Sequence, residues 1–124
     1  MKRVLVIDDE RNLCLIVKAC LECLANWEVL TSQSGSEGLL LAQTKTPNAI
    51  LLDVLMPEMD GLSLLGKLQS HPITQEIPVI LLTARVHKFE LDEYAQLNIA
   101  GIVTKPFDPL NLAKQVAQLL GWLT

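Results

Sequence analysis

The chain has 124 residues, half of them hydrophobic, which is enough for one buried core and not for two. Its net charge of −4 and the scatter of its Lys and Arg residues offer no basic patch to nucleic acid or an anionic membrane surface. No apolar run nears the roughly 20 residues of a membrane span, and "MKRVLVIDDE" turns acidic too early for a signal-peptide core, so a cytoplasmic protein is expected.

"RVLVID" reads as a first strand. In the helix that follows, Leu13, Ile16, Val17, Cys20, Leu21 and Leu24 keep the i, i+3, i+4 spacing that predicts one buried face. Cys14, Cys20 and Cys23 all fall in this helix and are expected to be buried thiols. A zinc site built on them would need a fourth ligand, and His71 and His87 lie far along the chain without ligand spacing. "WEVLT" is a short second strand, with Trp27 and the distant Trp122 expected to pack. "SGSEGLLLAQTK" is a second helix, capped by Ser34 or Ser36, that must stop before Pro47 because a residue preceding proline avoids the helical region. "AILLD" then forms a third strand that closes on Asp53.

Pro57 and Gly61 shape the turn after that strand, and Asp60 is placed to cap a third helix, "GLSLLGKLQS". "SHPITQEIP" leads into a fourth, continuously apolar strand, "VILLTA". A fourth helix over "VHKFELDEYAQLN" has a polar, less regular pattern that Asn98 would end. "GIVTK" is the fifth strand. Asp108, with Pro109 at the first helical position, predicts the start of a fifth helix carrying Leu112, Val116, Leu119 and Leu120. Five strands alternating with five helices predict an α/β fold, a doubly wound parallel sheet covered on both faces. Leu15, Leu40 and Leu64 find no obvious core position, which predicts an exposed apolar face for a partner or a second copy.

In such sheets ligands bind beyond the carboxyl ends of the strands. Those ends carry Asp8, Asp9 and Glu10, then Asp53, then Thr83 and Ala84, then Lys105 and Pro106. Each has an ordinary explanation alone, as a first-turn acid, a turn initiator, a β-former or a solvated end. Together the carboxylates would repel in one cleft unless a cation joined them. Hard oxygen ligands without nitrogen or sulfur suit Mg²⁺, which keeps several waters and pairs with phosphoryl oxygens. A phosphoryl group on Asp53 would complete that shell, met by the Thr83 hydroxyl and the Lys105 ammonium; carboxylates are able nucleophiles for aspartyl-phosphate formation.

These residues resemble the receiver domains of two-component response regulators, particularly the single-domain chemotaxis and sporulation-relay type. The resemblance spans the chain through "VLVIDDE", "ILLDVLMPEMDG", "PVILLTA" and "TKPF". The steps from Asp9 to Asp53, Thr83 and Lys105, which are 44, 30 and 22 residues, are similar to the family's own. It implies a flavodoxin-like sheet in the order 2-1-3-4-5. It also implies Asp53 as phosphoacceptor, Asp9 as a direct Mg²⁺ ligand, Asp8 as a ligand acting mainly through water, and the backbone carbonyl of Leu55 as a further ligand. Thr83 with Ala84 and Lys105 would bind the phosphoryl group, and the Lys105–Pro106 peptide would be cis. The donor would be a sensor histidine kinase or a histidine phosphotransfer protein, and the output a change in binding to a downstream protein.

The family often places an aromatic three residues before the lysine, where this chain has Ile102, so coupling through ring rotation gives way to repacking of Ile102 or to another face near Tyr94 or Phe107. Leu55 and Arg85 occupy the positions that resemble the family's determinants of phosphoryl lifetime. Leu55 has no polar side chain to orient water, which predicts slow autodephosphorylation. The rival from another class is a small haloacid-dehalogenase-like phosphatase, but its Asp-x-Asp nucleophile belongs on strand one, where this chain has Asp8 and Glu10. A third reading is a degenerate receiver used only for docking, against which the intact Asp8, Asp9, Asp53, Thr83 and Lys105 stand. Residues 1–124 are expected to form one receiver domain acting by protein contact, without an output domain.

Overall fold

The computed structural model describes residues 1–54, 61–84 and 98–122. Five strands, β1 (Arg3–Ile7), β2 (Glu28–Ser32), β3 (Ala49–Asp53), β4 (Val79–Thr83) and β5 (Gly101–Thr104), form one parallel sheet in the order β2-β1-β3-β4-β5. Three helices, α1 (Arg11–Ala25), α2 (Gly35–Lys45) and α3 (Gly61–Ser70), alternate with the first strands, and a C-terminal helix spans Leu112–Leu120. The expected fourth helix and the Asp60 cap lie outside the described residues, as do Leu55, Pro57, Arg85 and Tyr94. Among the described residues no helix is long and apolar enough to cross a membrane.

Two apolar layers enclose the sheet, and the pleat assigns residues to them. Val4 and Val6 of β1, Leu51 of β3, Ile80 and Leu82 of β4 and Val103 of β5 face α1 and the C-terminal helix. Leu5 and Ile7, Ile50 and Leu52, and Val79 and Leu81 face α2 and α3. Because both faces are covered, β3 and β4 are buried at every position, which is why they read as unbroken apolar runs.

Local chemistry sets most of the boundaries. Ser34 is the cap of α2, its hydroxyl accepting from the Glu37 N–H at 3.2 Å, so the choice between Ser34 and Ser36 falls to the former. Thr46, directly before Pro47, leaves the helix at a φ of 41°. Asn26 ends α1 in the same left-handed region. Trp27 packs edge-on against Trp122 at 5.1 Å, tying the far end of α1 to the end of the C-terminal helix.

Several expectations are corrected. The buried stripe of α1 is Cys14, Val17 and Leu21, whereas Ile16 and Leu24 are 46% and 54% exposed. Of the three thiols only Cys14 is buried; Cys20 is half-buried and Cys23 exposed, and all three are free. Leu64 is wholly buried against the sheet, while Leu15 and Leu40 are indeed exposed. The last helix begins at Leu112 rather than Pro109: Asp108 Oδ1 accepts from the Leu110 N–H at 3.0 Å, so that acid closes a turn ahead of the helix.

Candidate functional site

The order β2-β1-β3 reverses direction between β1 and β3, which opens a crevice at the carboxyl ends of those strands. Register then brings the acids level. Ile7 pairs with Leu52, so the residues that follow, Asp8 and Asp53, stand side by side; Asp53 pairs with Leu82, one step before Thr83, and Thr83 pairs with Thr104, one step before Lys105. Period-two alternation puts Asp8, Asp53 and Lys105 on the α1 side of the sheet. Thr83 turns to the other side with Val79 and Leu81, and Ile102, half-buried and paired with Leu81, packs on that side too.

Asp8 is fully buried and Asp53 and Thr83 nearly so, while Asp9 is exposed. Lys105 Nζ donates to Asp8 Oδ2 at 2.8 Å and stands 3.4 Å from Asp53 Oδ1. Burial alone would lower the Lys105 pKa; the hydrogen bond to Asp8 and the charges of Asp8 and Asp53 outweigh it and hold the pKa above the usual lysine value. The ammonium is therefore a fixed positive charge at neutral pH. Asp8 Oδ1 accepts from the Glu10 N–H at 2.9 Å, which also satisfies a donor at the entrance to α1.

One oxygen each from Asp8, Asp9 and Asp53 can be chosen so that all lie within 4.8 Å of one another. At that spacing two carboxylates repel by roughly 3 kcal/mol for an effective dielectric constant of about 20. One ammonium against three carboxylates leaves the pocket net negative, and a small divalent cation with oxygen preference fits this donor set. The sequence-level ligand Leu55 lies outside the described residues.

Gly61 sets how closely α3 approaches the end of β3. Its N–H donates to the Val54 carbonyl at 3.0 Å, and a Cβ there would collide with the Asp53 carbonyl and come within 2.7 Å of Val54 Cα, so the start of α3 can lie against the end of β3 only with glycine. The Lys105–Pro106 peptide is cis. Beside the acids, a cleft of about 510 Å³ runs between Leu13 and Ile16 of α1 and Lys105, Phe107 and Pro109. Sequence reasoning missed Cys14, whose thiol donates to the Asp8 carbonyl at 3.3 Å. Only the passage of α1 over the end of β1 reveals that contact, and no spacing in the chain signals it.

A doubly wound sheet with three acids and a lysine gathered at its switch point defines a class of phosphoryl-handling α/β domains. Residues 4–117 match the response regulator receiver domain model, and the chain belongs to that family. It is 31% identical over 119 residues to the alkaline phosphatase synthesis transcriptional regulatory protein PhoP of Bacillus subtilis, covering 96% of this chain and 48% of that protein. It is 35% identical over 117 residues to response regulator PleD of Caulobacter vibrioides, covering 94% and 26%. The chain thus spans about half, or less, of these curated relatives. Chemotaxis response regulator CheY4 of Vibrio cholerae superposes with a TM-score of 0.88 at 28% identity, over 96% of this chain and 98% of that one. The domain is a receiver of two-component phosphorelay signalling, and the phosphatase alternative is not favoured.

Proposed function

We propose that Asp53 accepts a phosphoryl group from a phosphohistidine on a sensor kinase or histidine phosphotransfer protein, and that the modified domain binds a downstream protein differently. The observation that carries this reading is the shared ammonium: Lys105 reaches the buried Asp8 at 2.8 Å and Asp53 at 3.4 Å while the exposed Asp9 completes a three-carboxylate cluster. Asp8, Asp9 and Asp53, with the Leu55 carbonyl, would hold Mg²⁺, which supplies charge neutralisation for the transferring oxygens when bound. A carboxylate oxygen of Asp53 attacks phosphorus in line. The P–N bond breaks and its electron pair stays on the imidazole, which begins protonated on its other nitrogen and ends neutral. Lys105 balances the charge on the transferred oxygens, and the Thr83 hydroxyl and Ala84 backbone receive them.

The cleft between α1 and the loop carrying Phe107 and Pro109 opens beside Lys105 and gives a donor protein an apolar wall to rest on. The new charge on Asp53 then biases a two-state equilibrium that partners read. A cytoplasmic location and residues 1–124 as a single receiver unit belong to the same reading, and pairing with a second copy through the exposed Leu15 or Leu40 is compatible with it.

Labelling by acetyl phosphate and binding of beryllofluoride, both in Mg²⁺, test the assignment. Asp53→Asn should abolish both with the circular dichroism spectrum unchanged. Undiminished labelling of that variant would refute Asp53 as acceptor.

A further inference from the structure

Every hydrogen-bonding atom of Asp8 is engaged, and from four different parts of the chain. Its N–H donates to the Ser32 carbonyl at 3.0 Å, its Oδ1 accepts from the Glu10 N–H at 2.9 Å and its Oδ2 accepts from Lys105 at 2.8 Å. The remaining atom, the backbone carbonyl, accepts from Cys14 Sγ at 3.3 Å; the same thiol lies 3.9 Å from the Ser32 carbonyl. Cys14 is 1% exposed and sits on the buried stripe of α1, in the first turn of that helix and six residues after Asp8.

That carbonyl belongs to the peptide joining Asp8 to Asp9, so its plane sets where both acids leave the backbone. We propose that Cys14 is a positioning residue for the acidic pocket: its thiol fixes the Asp8–Asp9 peptide, and through it the directions in which the two carboxylates meet a divalent cation. A thiol is a weak donor, but a buried carbonyl with no partner is costly and would turn to find one. Rotation of this peptide would carry Asp9, the exposed acid, away from Asp53. The inference rests on the reading above that these acids bind Mg²⁺.

The test compares wild type, Cys14→Ala, Cys14→Val and Cys14→Ser by Mg²⁺ titration calorimetry, with the urea midpoint in EDTA and hydrogen exchange of the Glu10 amide, which donates to Asp8 Oδ1 at 2.9 Å, measured alongside. The two variants without a donor should lose about three- to tenfold in Mg²⁺ affinity and exchange the Glu10 amide faster in metal-free protein, while serine keeps affinity within about twofold of wild type. Affinity unchanged in Ala and Val, or a Glu10 amide no faster than wild type, overturns the proposal. Equal loss in all three variants assigns the position to packing and overturns it as well. Failure of the wild type itself to bind Mg²⁺ refutes the functional reading, which separates the two outcomes.

Discussion

At the scale of single residues, Lys105 is what makes the site tolerable before any cation arrives. Asp8 has no exposed surface and Asp53 very little, and carboxylates so placed need a partner of opposite charge. Lys105→Met keeps the stem and removes the charge. In EDTA it should destabilise the domain by about 3 kcal/mol, because truncating one partner leaves buried charge uncompensated; urea denaturation measures this, and a loss under about 1 kcal/mol would show that Lys105 is not their main counter-charge. Asp8, Asp53, Thr83 and Lys105 were legible in the sequence because each follows an apolar run, and a parallel sheet aligns the ends of such runs. Cys14 was not, since a helix holding apolar residues on most of its circumference does not reveal from spacing alone which of them turns inward.

At the scale of elements the same ambiguity displaced the predicted face of α1. With Leu13, Cys14, Leu15, Ile16 and Val17 consecutive, two neighbouring stripes satisfy helical periodicity, and packing against Val4, Val6 and Val29 selects the one containing Cys14, Val17 and Leu21. The start of the last helix was misplaced for a related reason. Asp108–Pro109 obeys helix-start rules, but those rules also describe a turn, and the turn is what forms. Helix α3 offers a contrast within one element. Gly61→Ala should force α3 off the end of β3, costing about 2 kcal/mol by overpacking and weakening Mg²⁺ binding by disturbing Asp53. Gly66→Ala in the same helix meets nothing within 4 Å and should stabilise by about 0.5 to 1 kcal/mol. Paired melts of the two variants decide this, and equal effects would contradict the close approach at Gly61.

For the whole molecule, a doubly wound sheet covered on both faces was readable because βα alternation and fully apolar central strands admit few topologies, whereas the strand order rested on the resemblance to receiver domains. Stability should carry the imprint of the buried Cys14 and the half-buried Lys105. Cys14 is raised from 9.0 to about 11, and Lys105 is raised from 10.5, so the folded state retains protons that the unfolded chain releases. Their contribution is complete below about pH 9 and is lost as pH climbs through the folded-state values. Urea midpoints should be flat from about pH 7 to 8.5 and fall steadily above 9, and a midpoint unchanged to about pH 11 would contradict both environments.

The sheet also works as a partition wall. Asp8, Asp53 and Lys105 lie on the side of α1, where the cleft opens, whereas Thr83 and Ile102 lie on the side of α2 and α3. Under the proposed function, a phosphoryl group on Asp53 would sit at the wall's upper edge, where both compartments meet, and a message written from one side would be read from the other. On that reading, donor and recipient would not have to take turns at one surface, and a relay assembled around this domain would hold both at once.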